Sequence, residues 1–401
     1  MLKKLLKIVL HVSGVILFIF ATAYALLAAY GYQIDLLHQN IVKTSIIDVS
    51  NELKGVEIFF DGELIAKKAP YQIKNVKPGL HELEIVKEDF TSWKEKVVVA
   101  EDVVTKIDDI LLLPLNLEEY LEVLEFGLNY DEVIINKNYF VLVSREENKV
   151  FINKIGNKNI NLIDTINIDL ENAEVSFVDL HRLEINYSDN INVIDLRDKS
   201  SLNIIIPDKF ESFEIVFNPY LKGYYLNDGF IYSVDITEEG IFQEIKMFEL
   251  EEEYRYSDIS VISSYDSTFI KAEDKLFKVE DDILELIEEN IIGLPSISSD
   301  GVNLAYLNKD NEIILYNLYE KEQILLARFI KKMDSIQWHK DSKHLYLIQN
   351  DTLLICDLEF SNCNKILEIS EKDKFHIIPE LSQFVFEEKD TFEVYNLSKE
   401  I

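Results

Sequence analysis

Two histidines, His339 and His344, stand on either side of Asp341-Ser342, and with the intervening acid they are the residue types that hold a transition metal. Metal chemistry needs side chains that converge and are themselves supported. On neighbouring strands across a turn the pair is expected to be solvated, so no metal ligand is assigned. Adjacent acids such as Asp281-Asp282 and Glu251-Glu-Glu253 are nominally the acid and base of glycoside hydrolysis. Neighbours on a strand or loop point apart, and these runs read as solvated faces. No Gly-x-Ser-x-Gly elbow, His-Glu-x-x-His pair, glycine-rich phosphate loop or EF-hand loop occurs. No catalytic residue is therefore assigned and no cofactor is called for. Tyr225, Tyr306 and Tyr346 could line a carbohydrate-binding surface, but at strand spacing they are expected in the core. The only cysteines, Cys356 and Cys363, flank the loop 357–362, where facing hairpin arms would allow a disulfide.

A further group of acids recurs in polar turns: Arg145-Glu-Glu-Asn148, Ser188-Asp-Asn190, Asn227-Asp-Gly229, Glu273-Asp274, Asn308-Lys-Asp-Asn311, Gln349-Asn-Asp351 and Glu387-Glu-Lys-Asp390. They supply Glu146, Glu147, Asp189, Asp228, Glu273, Asp274, Asp310, Asp351, Glu387, Glu388 and Asp390, opposed by Arg145, Lys309 and Lys389. If these turns share one face, that face is acidic and would draw cationic groups or calcium. Turn chemistry alone accounts for the Asn, Asp and Gly; it does not account for the glutamates.

Each acidic turn precedes a short signature, a hydrophobic residue, a polar one and a hydrophobic one. The signatures begin at Ile152, Ile194, Tyr232, Phe277, Tyr316, Cys356 and Tyr395, spaced 42, 38, 45, 39, 40 and 39 by subtraction of residue numbers. The two clearest copies are Ile297-Ser-Ile-Ser-Ser-Asp-Gly-Val-Asn-Leu-Ala-Tyr306 and, about forty residues on, Ile336-Gln-Trp-His-Lys-Asp-Ser-Lys-His-Leu-Tyr346. A period of roughly 40 to 45 residues built from short strands is the mark of a β-propeller blade. Seven blades are expected over 116–401. Only four residues follow Tyr395-Asn-Leu397, too few for an outer strand, so Glu119-Tyr-Leu-Glu-Val-Leu124 is expected to complete the last blade. The turns Ser298-Ser-Asp-Gly301 and Trp338-His-Lys-Asp-Ser342 resemble the WD40-like repeats of TolB-type propellers, a likeness of fold from which no function follows.

At the other end, Lys3, Lys4 and Lys7 precede a run from Ile8 to Ile34 without Asp, Glu, Lys or Arg. Such a run can span ~30 Å of hydrocarbon, and the lysines would hold its N-terminal end in the cytoplasm. A cleavable signal peptide ending near Ala23-Tyr-Ala25 is the competing reading. Residues 35–43 then read as a polar connector. Beyond it, Val56-Glu-Ile-Phe-Phe60 and Glu63-Leu-Ile-Ala66 flank Asp61-Gly62, a strong hairpin signal. The strands that follow, to Pro114, read as an antiparallel meander. In the order Gly55, Val56, Asp61-Gly62, Pro70, Pro78-Gly79, His81 and Phe90, residues 44–115 resemble the PEGA domain, a small exported β-sandwich. Of the Pro-Glu-Gly-Ala tetrad only the glycine is kept, in Leu53-Lys-Gly-Val56. The resemblance implies a surface-associated structural or binding module and transfers no catalytic residue.

The chain of 401 residues is 48% hydrophobic, enough for packed cores. Its formal charge of −33 opposes nucleic acid, whose binding rests on Lys and Arg at phosphates. The expectation is an all-β protein with one N-terminal transmembrane helix, a PEGA-like sandwich and a seven-bladed propeller. It would sit in the cell membrane with the bulk outside, as a non-enzymatic module that binds a protein or cell-envelope polymer. A propeller enzyme acting on envelope glycans and an envelope-assembly factor are the rivals.

Overall fold

The computed structural model describes residues 2–35, 40–125, 127–155, 160–187, 189–206, 212–217, 220–237, 240–250, 259–264, 267–369, 374–378, 382–388 and 391–397. Two compact units meet between Leu115 and Asn116.

The first unit opens with the helix α1, Leu2–Ala29. Its segment His11–Ala29 has a mean hydropathy of 2.2 and buries none of its side chains, so it is long and apolar enough to cross a membrane. It stops before the apolar run does. Gly31 takes the left-handed φ of 80° that commonly ends a helix, and its carbonyl accepts from both the N–H and the hydroxyl of Thr44, each at 2.7 Å. Around the connector, Tyr32–Asp35 pairs antiparallel with Asn40–Lys43.

Residues 45–107 form two sheets over one core. One carries Glu63–Ala66, Val56–Phe60, Gly79–Lys87 and Trp93–Val99 side by side; the other carries Tyr71–Val76, Ser45–Val49 and Val104–Ile107. Alternation along each strand sends Ile47, Ile73 and Ile107 from one sheet and Ile58, Leu83, Ile85 and Trp93 from the other into a shared cluster. Asp61 and Gly62 take φ values of 49° and 81° at the expected hairpin. The expected meander is corrected: Ser45–Val49 pairs parallel with Val104–Ile107, at opposite ends of the module.

The second unit opens with a short 3-10 turn, Leu117–Tyr120, and its other named elements among the described residues are β-strands. Among the described residues it holds seven four-stranded antiparallel sheets, none closed into a barrel. Six are consecutive in sequence, at 132–167, 174–205, 212–249, 259–288, 291–328 and 335–368. The seventh combines Lys374–Ile378, Gln383–Glu388 and Thr391–Asn396 with Leu121–Glu125 from the start of the unit. All seven signatures fall on the third strand of a sheet. Hydrophobic clusters join neighbours face to face. The first and second sheets share Val141, Val150, Leu183 and Ile185, and the fifth and sixth share Leu307, Leu315, Trp338 and Leu345. A further cluster joins the last sheet to the first, through Val385, Phe392 and Val394 against Phe140, Leu142 and Phe151. Inner strands are therefore covered on both faces, and Tyr139–Ser144 is buried at every position.

Candidate functional site

His339 follows directly on Ser335–Trp338, the first strand of the sixth sheet, and His344 begins the second, the turn being closed by a backbone hydrogen bond from His339 N–H to the His344 carbonyl at 2.9 Å. Facing residues of a tight hairpin project side chains together, and the two rings lie edge to face with centroids 6.0 Å apart. The solvated reading of this pair is corrected: both histidines are 3% exposed, because the turn is covered by the seventh sheet. Between them stands Asp341. Its Oδ1 accepts from the backbone N–H groups of Lys343 (2.8 Å) and His344 (3.1 Å). Its Oδ2 faces His344 Nδ1 at 2.7 Å and His339 Nδ1 at 3.0 Å. On the far side of the His339 ring, Nε2 meets Ser382 Oγ at 2.9 Å. Burial would raise the Asp341 pKa, but the two imidazoles outweigh it and hold the carboxyl far below the usual range.

The same turn in the fifth sheet is built without histidine. Ser298, Asp300, Gly301 and Asn303 occupy the places of His339, Asp341, Ser342 and His344, with matching backbone bonds from Ser298 N–H to Asn303 O (2.8 Å) and Gly301 N–H to Ser298 O (2.9 Å). Ser298 Oγ donates to Asp300 Oδ1 at 2.6 Å and accepts from Asn303 N–H at 2.9 Å.

Serine, histidine and aspartate in a row are also the order of a nucleophile, its base and the base's orienter. Ser382 is 1% exposed, so its hydroxyl is closed to a substrate and serves to hold the His339 ring.

The acidic residues of the seven turns sit where the second strand of each sheet passes to the third. Asp189, Asp228, Asp310 and Asp351 are exposed. Several of these acids are engaged locally: Glu146 accepts from Asn129 Nδ2 at 2.7 Å, Glu147 pairs with Lys149 at 2.7 Å, and Asp274 pairs with Lys309 of the next sheet's turn. Left-handed backbone at Asn148, Asp228, Glu273, Asn311, Asn350 and Asp351 is what tight turns between strands demand. Glu387 lies near the end of its strand and Glu388 closes it, while the Glu388 side chain, Lys389 and Asp390 lie outside the described residues.

Asp281 and Asp282 share a turn with φ of 49° and 60°, and Asp282 binds Lys222 at 2.6 Å and Ser233 Oγ at 3.0 Å. Glu251-Glu-Glu253 lies outside the described residues. Tyr225, Tyr306 and Tyr346 are all in the core. Cys356 and Cys363 are direct cross-strand partners joined in a disulfide, with Cα atoms 4.1 Å apart.

One acid that the sequence did not single out is buried. Glu184, on the second strand of the second sheet, has its pKa pushed up to about 7 by burial first and then by the charges of Glu214 and Glu174, against a hydrogen bond from Asn186.

Residues 44–111 match the PEGA domain. This places the likeness on the two-sheet module. No curated protein matches the chain. Among solved structures, the chain is similar to Kluyveromyces lactis Hsv2 (complete loop 6CD) at 9% identity and a TM-score of 0.46, covering 63% of this chain and 88% of that one. It is similar also to Kuenenia stuttgartiensis hydrazine synthase at 9% identity and a TM-score of 0.41, covering 66% and 95%. No functional conclusion follows from likenesses at these scores.

Proposed function

We propose that the protein is a non-enzymatic binding or scaffolding module held at the cell surface, with α1 as a single membrane span and a PEGA-like sandwich and seven-bladed propeller outside. The match of residues 44–111 to the PEGA domain, directly after an apolar helix, carries this reading. Lys3, Lys4 and Lys7 favour a cytoplasmic N-terminus. The propeller is supported by the seven four-stranded sheets, by the clusters between neighbours and by the cluster linking last to first. The partner is a protein or envelope polymer with cationic groups, or one bridged by calcium, drawn to the acidic turns.

Crosslinking and pull-down from intact cells tests the reading, with the chain carrying Glu146→Lys, Asp189→Lys and Asp310→Lys. None of these positions has left-handed backbone. The expected result is a captured partner lost on charge reversal and released as salt rises, since exposed charges beyond ~10 Å are screened at 0.1 M. Capture unchanged in amount and salt dependence would reduce the acidic ring to turn chemistry.

A second reading, a propeller enzyme acting on envelope glycans, draws on Glu184. Its carboxyl keeps a proton near neutrality, as a general acid must, and because it is buried the reading also requires the sheet to open to a glycan. Release of reducing ends from envelope glycans by the wild-type chain, and its loss in Glu184→Gln, would favour the enzyme.

A further inference from the structure

The gap between Asp341 Oδ2 and the two Nδ1 atoms is the one cluster of three metal-ligating side chains among the described residues, with donor atoms within 4.8 Å of one another. His339 fixes its chemistry. Its Nε2 lies 2.9 Å from Ser382 Oγ, so with that nitrogen protonated and donating, Nδ1 turns a lone pair toward the carboxylate. That Nδ1 is buried and makes no aligned hydrogen bond, although it stands 3.0 Å from Asp341 Oδ2. In that tautomer the lone pair and the carboxylate oxygen face each other across a gap that a bound cation would fill, and the second imidazole, within hydrogen-bond distance of the same oxygen at 2.7 Å, converges on it.

We propose that His339, Asp341 and His344 bind a divalent transition-metal ion of the zinc class. Two imidazoles and one carboxylate suit zinc, cobalt or nickel, whereas calcium and magnesium take oxygen ligands. Donors about 2.0 to 2.2 Å from a shared tetrahedral ion lie about 3.3 to 3.6 Å from one another. The observed 2.7 and 3.0 Å would open to that spacing by small rotations of the Asp341 and imidazole side chains. Ser382 orients His339 from behind, and the two backbone N–H groups on Oδ1 orient the acid, which are the supporting contacts metal ligands require. The Asp341 side chain is 31% exposed, which gives the ion an entry and leaves a further position for water.

The turn itself does not need these histidines. The fifth sheet makes the same backbone bonds with Ser298 and Asn303 in their places. A ligand set has been added to a turn that folds without it. This site is independent of the membrane and partner reading above.

The test uses the full chain in detergent, purified without a histidine tag, titrated with Co2+ and followed by visible absorption, then challenged with Zn2+. One equivalent of Co2+ is expected to bind saturably and to be displaced by Zn2+. The variant His339→Ser with His344→Asn writes the fifth sheet's turn into the sixth; it should keep the wild-type circular dichroism and lose the site. Ser382→Ala should keep all three ligands and bind about 10-fold more weakly. If folded wild-type chain takes up no Co2+, a proton and not a metal occupies the gap. If the double variant binds as well as wild type, the ion sits elsewhere. Either result overturns the proposal.

Discussion

Leu121 and Tyr395 are partners in one antiparallel ladder, although they stand at opposite ends of the second unit. The pairing runs from Leu121–Glu125 along Thr391–Asn396 and gives the seventh sheet its fourth strand. Leu124 and Leu128 pack on the cluster that joins the last sheet to the first, and Tyr130 stacks on Phe392 at 5.4 Å. Deleting 117–129 would strip the ladder and both leucine contacts and expose a strand edge. Two half-buried leucines and a lost ladder amount to roughly 3 kcal/mol or more. Thermal melting of the deleted chain should fall by at least about 5 °C; an unchanged midpoint would show that the strand adds nothing to the unit.

Much of this architecture is legible in the chain. The signatures at Ile194, Tyr316 and Cys356 mark third strands because each blade-sized repeat restates the same alternation before the same polar turn. What the alternation does not carry is the partner of a strand. Val104–Ile107 reads as the end of a meander, yet it pairs in parallel with Ser45–Val49, a relation fixed only when both sheets close over one core. The burial of the two histidines is hidden from the sequence for a related reason. Position across a hairpin was visible, but the seventh sheet, which buries the turn and supplies Ser382, comes from a distant part of the chain. Glu184 lies between Leu183 and Ile185, and alternation would send it to a solvated face. Sheets stacked on both sides leave no such face.

The disulfide between Cys356 and Cys363 closes a short loop, for which chain entropy gives about 2.5 kcal/mol. Cys356 is fully buried between the fifth and sixth sheets and Cys363 is exposed, so the bond ties a surface strand to the core. Melting with and without a reductant should show the reduced chain less stable by about that amount. Ready labelling of the native, unreduced chain by a thiol reagent would contradict the bond.

Gly223 is buried on the second strand of the third sheet, and here the glycine is needed for space. A Cβ at this position would lie 2.5 Å from Phe213 Cζ and 2.8 Å from Val234 Cγ2. Gly223→Ala is expected to cost about 1 to 3 kcal/mol in denaturant unfolding. Adding Phe213→Leu should recover part of that loss, since the two positions share one volume. Equal losses with and without the second substitution would place the strain elsewhere.

Glu184 gives the second unit a pH dependence opposite to that of an ion-paired acid. Its pKa is about 7 in the folded chain against an ordinary 4.5, so between those values the native state holds a proton that the unfolded chain has released. Stability from this group is therefore present below pH 4.5 and declines as pH rises toward 7. The loss is at most roughly 3 kcal/mol, the shift multiplied by 1.36 kcal/mol per unit. Glu184→Gln keeps the shape and removes the charge, so it should be more stable than wild type at pH 7.5 and nearly equal at pH 4. Denaturant unfolding of both chains across that range separates this acid from every other carboxylate, because only the difference between the two curves belongs to Glu184. Parallel curves would mean that Glu184 ionises as an ordinary glutamate, and would remove with it the general acid on which the enzymatic reading depends.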